Sequence, residues 1–495
     1  SLVFYNVFGN PSQLTPTVIK DIINNSELYP LIRPSGYYPP FVPILTSILY
    51  FFFGTGHKVA IMSNIIFLFV LIISIYKTGN IMFNRTIGLL ASVVILLFPI
   101  VLNHSVIYYL DLPLTAMVAL SILAILKSEY FKNTTFSILS GFVFGFGMLT
   151  KWTFLFFTIG PLCYSVLVGF YSETIQKDGP KNVRNHVRNI SFFVIVSVII
   201  FGLYYLPILP TLIEETFKYS HAIFQIKQIP LLSLASVAFY PIALWIDMIN
   251  PFGFTLFAIG IAVLSFSKHG YKTFILIWTI VPYIIFTFVI ENKQPRYMMP
   301  WLVPISLIIS YGISEIGKFK IPRIQAKSKH FLIPLALSVF LIFFLLEDLR
   351  LRNSIIIQSE EDWKIDEIVS VLETDLKGGN KFQQLKKNPQ YLGVIPDHRY
   401  INGQTIRYFT TLKGLPLNVI KLENYSGKAS DEFMKKFDRF DYILTKNKSN
   451  IAISSFQTSI DSMHEYFYLH IDNFRHLKTY HLPDGSEVSL YKSNS

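Results

Sequence analysis

Apolar runs of about 16–20 residues recur in this chain from Val59 to Leu346, close to the length an α-helix needs to cross a bilayer. They lie at roughly 59–76, 86–103, 112–126, 135–150, 153–170, 191–209, 251–267, 273–290, 299–314 and 330–346. None shows the ten-residue apolar/polar alternation of a membrane barrel. In lipid each backbone N–H and C=O must find its partner within the protein, so these runs predict helices. The fold class is a polytopic α-helical membrane protein. Composition agrees, with 52% hydrophobic and only 15% charged residues, where a soluble domain carries about a quarter charged.

The formal charge of +12 invites a nucleic-acid reading, but most of the excess sits in short loops between apolar runs. One set of loops is basic: Lys77 and Arg85, Lys127 and Lys132, Lys177 to Arg188, Lys268 and Lys272, and Lys318 to Lys329. The other set is poor in Lys and Arg or mixes them with aromatic and acidic residues: HSVIYYLD at 104–111, TKWT at 150–153, a loop at 210–229, and ENKQPRY at 291–297. Placing the basic set in the cytoplasm lets all ten runs alternate and argues against a nucleic-acid partner. It also puts 1–58 and the tail outside the cell membrane. Residues 41–54 are too short to span and read as an interfacial helix. Residues 230–248 begin and end on the same side, and read as a Pro-broken re-entrant or interfacial segment. The lone Cys163 excludes an intrachain disulfide.

Composition changes after about residue 348. EEDWKIDEIVSVLETDL has the period of an amphipathic helix, and YLGVIPD, LNVIKLE, FDYILTK and SEVSLYK read as short strands. The expected domains are therefore an outer segment with interfacial helices (1–58), a transmembrane domain of about ten spans (59–347), and a C-terminal extracytoplasmic α/β domain (348–495). There is no internal repeat, phosphate-binding glycine loop, HExxH or paired-cysteine metal spacing.

The unusual polar residues fall on the outer side. Asp111 stands where a loop enters an apolar run, with Pro113 just behind it. It reads either as a helix cap or as a functional carboxylate. Lys151 sits between two apolar runs and can snorkel to the interface or face an anion. Arg296 and Tyr297 lie outside against the positive-inside trend and offer a planar fork and a hydroxyl for phosphate oxygens. Glu214 and His221 are the candidates for a divalent cation, but their spacing matches no defined site and a solvated loop is the plainer reading. In YYPP, Pro39 and Pro40 hold Tyr38 out of helical conformation, and Tyr37 and Tyr38 read either as interface anchors or as a cavity wall.

The blocks YYPPFVPILTSILYFFFG, HSVIYYLDLPLTAMVAL, GFVFGFGMLTKWTFLFF and ENKQPRYMMPWLVP occur in an order and spacing that resembles the GT-C membrane glycosyltransferases. These use dolichyl- or polyprenyl-phosphate sugars and include the protein O-mannosyltransferases and the aminoarabinose transferase acting on lipid A. The likeness covers residues 1–315 at least patchily; the tail is similar, more loosely, to the extracytoplasmic domain of bacterial and archaeal relatives. It implies transfer of a sugar from a polyprenyl-phosphate donor to an extracytoplasmic acceptor, with inversion. It makes membrane lipids and the donor the partners, leaves the acceptor and any cofactor open, and casts Asp111 as a catalytic carboxylate. Lys151, Arg296 and Tyr297 become donor-phosphate ligands, and Tyr37, Tyr38, His104 and Tyr109 pocket-lining residues. It also implies a main catalytic Asp in the first outer loop. No Asp precedes Asp21, and the chain opens SLVFYNVFGN without Met or a first span, so that residue is expected upstream of Ser1. The competing readings are a transporter or flippase, which should show related halves and midplane polar sites, and a non-catalytic scaffold presenting 348–495.

Overall fold

The structure is a computed structural model that describes residues 39–175, 180–223, 229–290, 292–316, 342, 346, 362–377, 389–395, 398, 400–422, 439–447 and 457–494. The chain divides into two compact units, one drawing on 1–212 and 229–351 and the other on 213–228 and 352–495.

The first unit is helical. Its elements are α1 (Phe41–Phe53), α2 (His57–Met82), α3 (Arg85–Leu96), α4 (Pro99–Ser105), α5 (Asp111–Lys127), α6 (Thr134–Met148), α7 (Phe154–Ile175) and, up to residue 212, α8 (Pro180–Ile223). After these come α9 (Leu234–Ala243), α10 (Asn250–Phe266), α11 (Lys272–Phe288), a 3₁₀ turn at Pro295–Trp301, and α12 (Leu302–Ile316). Every apolar run from 59–76 to 299–314 coincides with helix, while 330–346 lies almost wholly outside the described residues. By length and hydropathy, four described helical stretches can cross a membrane, or five if the α3–α4 pair is one span. The chain is a multi-pass membrane protein.

Two runs depart from a simple reading. The run 86–103 is bent by 66° between α3 and α4. Pro99 has no N–H and pushes Phe98 out of the helical region (φ −74°, ψ 122°), a break that hydropathy does not register. Residues 230–248 contain α9 and then a π-helical turn at Leu244–Met248. Pro241 lies inside α9, so the Val237 carbonyl loses its intrahelical donor; the Tyr283 hydroxyl donates to it at 2.8 Å. The loop expected at 210–229 is a correction: helix α8 continues to Ile223. Leu212, Glu214, Glu215, Lys218 and Ala222 are good helix formers, which accounts for the continuation.

Helix α5 is buried nearly all round and forms the centre of the unit, with α2 and α6 packed against it. Backbones approach closely where side chains vanish. A Cβ on Gly260 of α10 would lie 2.5 Å from the Ile308 carbonyl oxygen of α12.

The second unit contains α13 (Ile365–Lys377), β1 (Gln390–Val394), α14 (Gly403–Leu412), β2 (Leu417–Lys421), β3 (Tyr442–Lys446), α15 (Gln457–Leu469), β4 (Phe474–His481) and β5 (Glu487–Ser493). The sheet order is β2-β1-β3-β5-β4, with β2, β1 and β3 parallel and β5 and β4 antiparallel. Strand β3 is buried on both faces. Tyr442 and Leu444 pack with Ile368, Val369 and Leu372 of α13, and the alternate Ile443 packs with Met463 and Phe467 of α15. The four expected strands and the amphipathic helix are present. Strand β4, FRHLKTYH, was not expected, because its exposed basic residues hide the alternation that marks an edge strand.

Candidate active site

Asp111 is the first residue of α5, but it is not the cap. Leu110 holds the N-cap position and makes no side-chain cap bond. The Asp111 carboxylate instead accepts a hydrogen bond from Lys151 Nζ through Oδ1 at 2.8 Å. The dipole of α5 favours an anion at this position, and Lys151 completes the pairing. Lys151 comes from the tight connection between α6 and α7. At 6% exposure, against 3% for Asp111, it does not snorkel to the surface. Asp111 Oδ2 has no hydrogen-bond partner among the described residues.

The 3₁₀ turn brings Arg296 and Tyr297 to the same place. Lys151 Nζ lies 4.9 Å from the Tyr297 ring centroid, and the Arg296 guanidinium carbon lies 4.8 Å and 5.3 Å from the rings of Tyr109 and Tyr297. Arg296 Nε donates to Gln294 Oε1 at 2.8 Å. On α4, His104 Nδ1 lies 2.9 Å from the Ile100 carbonyl oxygen, so Nδ1 carries a hydrogen and the neutral ring presents Nε2 as acceptor. The His104 ring stands 5.9 Å from that of Tyr109. Among the described residues, one carboxylate and two cations thus share an aromatic-walled cluster, and positive charge outnumbers negative there.

Side chains that sequence reasoning passed over hold this cluster in shape. Asn64, fully buried on α2, donates from Nδ2 to the carbonyls of His104, Ser105 and Ile107 at 3.2, 3.0 and 2.9 Å, fixing the segment that carries Tyr109 and Asp111. Its signal is an amide in an otherwise apolar run. Thr46 of α1 shares a 2.8 Å hydrogen bond with Tyr108. Lys293 and Gln294 precede Arg296 within ENKQPRY; Lys293 donates to backbone carbonyls and Gln294 accepts from Arg296.

Asp111, Lys151, Arg296, Tyr297, His104 and Tyr109 are therefore brought together. Tyr37 and Tyr38 lie outside the described residues. Glu214 and His221 lie on the last turns of α8, where no side-chain position is described. Among the described residues no group of three or more His, Cys, Asp and Glu is placed to hold a metal ion.

Residues 38–201 match the family described as dolichyl-phosphate-mannose-protein mannosyltransferase, the part of the chain that supplies Asp111 and Lys151. No curated protein matches the chain by sequence. Among solved structures, it is similar to ArnT from Cupriavidus metallidurans bound to undecaprenyl phosphate. That likeness has 12% identity and a TM-score of 0.54 over 92% of this chain and 88% of that one. It is also similar to the archaeal oligosaccharyltransferase AglB from Archaeoglobus fulgidus, in complex with an inhibitory peptide and a dolichol-phosphate. There the identity is 11% and the TM-score 0.53, over 93% of this chain and 66% of that one. At these identities the likeness is one of fold: an ArnT-like GT-C helical region followed by a mixed-sheet domain. The family resemblance read in the sequence is borne out over 38–201 and in this fold.

Proposed function

We propose that this protein is a membrane glycosyltransferase that takes a sugar from a polyprenyl-phosphate-linked donor and passes it to an extracytoplasmic acceptor with inversion at the anomeric carbon. The observation that carries this reading is the balance of charge among the described residues: buried Lys151 and half-buried Arg296 stand beside one carboxylate, Asp111, between aromatic rings. Such a site lowers its energy by taking in an anion, and a lipid phosphate is an anion that reaches it along the membrane. The two solved structures of similar fold were each obtained with a lipid phosphate, undecaprenyl phosphate or dolichol-phosphate.

In the reaction, the acceptor oxygen attacks the anomeric carbon from the face opposite the phosphate. The carbon–oxygen bond to the phosphate breaks, and the lipid phosphate leaves with the bonding electron pair. Arg296 and Lys151 stabilise the charge that grows on the departing phosphate, with the Tyr297 hydroxyl as an additional donor. The acceptor proton passes to a carboxylate, and Asp111 Oδ2 is the acceptor atom beside the cations among the described residues. Tyr109 and His104 wall the pocket.

The test uses the full protein in proteoliposomes with labelled polyprenyl-phosphate sugars. Transfer of label to an acceptor, with release of polyprenyl phosphate and inverted anomeric configuration, is the expected result. Labelled donor that crosses the bilayer intact, with no transfer, would replace this reading with a flippase. Cysteines placed at 171–189 and in the tail should label from opposite sides if the active face and the C-terminal domain are extracytoplasmic.

A further inference from the structure

Helix α11 ends at Phe288 without a glycine cap, and its last carbonyls need donors. Two of them, with the Ile290 carbonyl just beyond, share one side chain as donor. Lys293 Nζ donates to the carbonyl oxygens of Phe286, Thr287 and Ile290 at 2.7, 2.9 and 2.7 Å, three acceptors for the three hydrogens of an ammonium. The Thr287 carbonyl also receives Ser236 Oγ of α9 at 2.6 Å, so the same helix end is pinned from a second side. A cation within a few residues of Arg296 in a candidate phosphate site invites the reading of another phosphate ligand. The geometry points elsewhere, because these bonds aim the ammonium into the helix end.

We infer that Lys293 is a positioning residue, which anchors the turn bearing Arg296 and Tyr297 to the end of α11 and so sets where the guanidinium meets the donor phosphate. The connection is short and stiff. Gln294 follows Lys293 directly, its Oε1 accepts Arg296 Nε at 2.8 Å, and its carbonyl accepts the Tyr297 N–H at 3.1 Å. Pro295 between them has a fixed φ. Rotation of the turn would therefore carry Gln294, Arg296 and Tyr297 together, and the carbonyl bonds of Lys293 oppose that rotation. Releasing the anchor loses preorganisation for the donor more than chemistry once the donor is bound.

This inference rests on the reading of the site as a polyprenyl-phosphate transferase, and its test separates the two. Donor KM and kcat are measured for the full protein and for Lys293→Met, Lys293→Arg and Gln294→Leu, together with hydrogen exchange of the 286–297 amides. The expected result is a donor KM raised about 10-fold in both lysine variants, with kcat within about twofold of wild type. Exchange at 286–290 and 294–297 should quicken in both. Arginine keeps the charge but cannot place a planar fork in a cradle shaped for an ammonium. A wild-type KM in Lys293→Arg beside a raised one in Lys293→Met would make Lys293 a phosphate ligand and overturn the inference. Should Lys293→Met fail to fold, Gln294→Leu uncouples the anchor from Arg296 while leaving the carbonyl bonds intact. Its KM should rise about threefold, and an unchanged KM overturns the proposal. A wild-type protein that neither binds nor consumes the donor removes the transferase reading; the exchange measurement, which needs no donor, still decides the anchor.

Discussion

Two Lys–Asp pairs in this molecule have the same length and opposite surroundings. Lys151–Asp111 in the helical unit and Lys446–Asp484 in the C-terminal unit both close at 2.8 Å, with lysine side chains 7% and 1% exposed. Asp484 is satisfied within its own hairpin turn: the Ser486 backbone N–H and hydroxyl both donate to Oδ1 while Lys446 takes Oδ2. Asp111 receives Lys151 on Oδ1 and has no partner on Oδ2 among the described residues, and Arg296 stands nearby over two aromatic rings. A closed pair stabilises a fold. An open pair with a surplus cation has capacity left for a ligand. Burial of the lysines does not separate them, and neither pair is by itself strong evidence of net stability.

The comparison breaks first at Arg296. Arg296→Ala should lower transfer about 100-fold or more while the protein still purifies as a single folded species, as expected when a donor aimed at developing charge is removed. Transfer within about twofold of wild type would leave Arg296 no role at the phosphate. Next come the pairs themselves. Lys151→Met leaves a buried carboxylate unpaired and should cost about 3–5 kcal/mol of stability, read as a lowered thermal midpoint. Adding Asp111→Asn should recover much of that midpoint without recovering transfer. Lys446→Met should also lower stability, yet leave transfer per folded molecule near wild type. Transfer lost in step with Lys151→Met would abolish the distinction.

A smaller effect is expected at Asn64. Asn64→Leu removes three hydrogen bonds to the His104–Ile107 carbonyls and should cost about 10-fold in transfer through displaced Tyr109 and Asp111. The smallest is a pH effect confined to the C-terminal unit. Burial pushes the Asp484 carboxyl up, but the hydrogen bonds from Lys446 and Ser486 outweigh it and hold the group below its usual value. Asp375 behaves alike under Lys492 and the Tyr442 hydroxyl. A carboxyl lowered on folding stabilises the fold above its unfolded pKa, and that share is lost as pH falls through the folded one. Hydrogen exchange of β3 and β5 should therefore quicken below about pH 4. Asp484→Asn should blunt that acid limb and leave neutral-pH transfer unchanged.

What the sequence reveals and what it hides follow from the range of the forces involved. The helices and the strands β1, β2, β3 and β5 were legible because hydrophobic period is local. Asp111, Lys151 and Arg296 stood out because a charge at a membrane boundary is costly enough to need a reason. The identity of their partners was not legible. Asp111 reads in sequence as a helix cap or a functional carboxylate, and only the fold brings Lys151, 40 positions away in sequence, to its oxygen. Asn64 and Lys293 were passed over because they bind backbone carbonyls, which carry no residue-specific signature. The bend at Phe98–Pro99 was hidden because proline counts weakly against so apolar a run. Strand β4 was hidden because an edge protected by Arg475, His476 and Lys478 does not look like a strand.

The central claim is that the surplus cation at Asp111–Lys151–Arg296 is there for a lipid phosphate. The most direct measurement is binding of polyprenyl phosphate and of the matching polyprenol, alike in chain and lacking only the phosphate, to the purified full protein and to Arg296→Ala. The account predicts that wild type binds the phosphate about 100-fold more tightly than the alcohol, and that Arg296→Ala loses most of that preference while its affinity for the alcohol holds. Equal affinity for phosphate and alcohol in the wild type would contradict it.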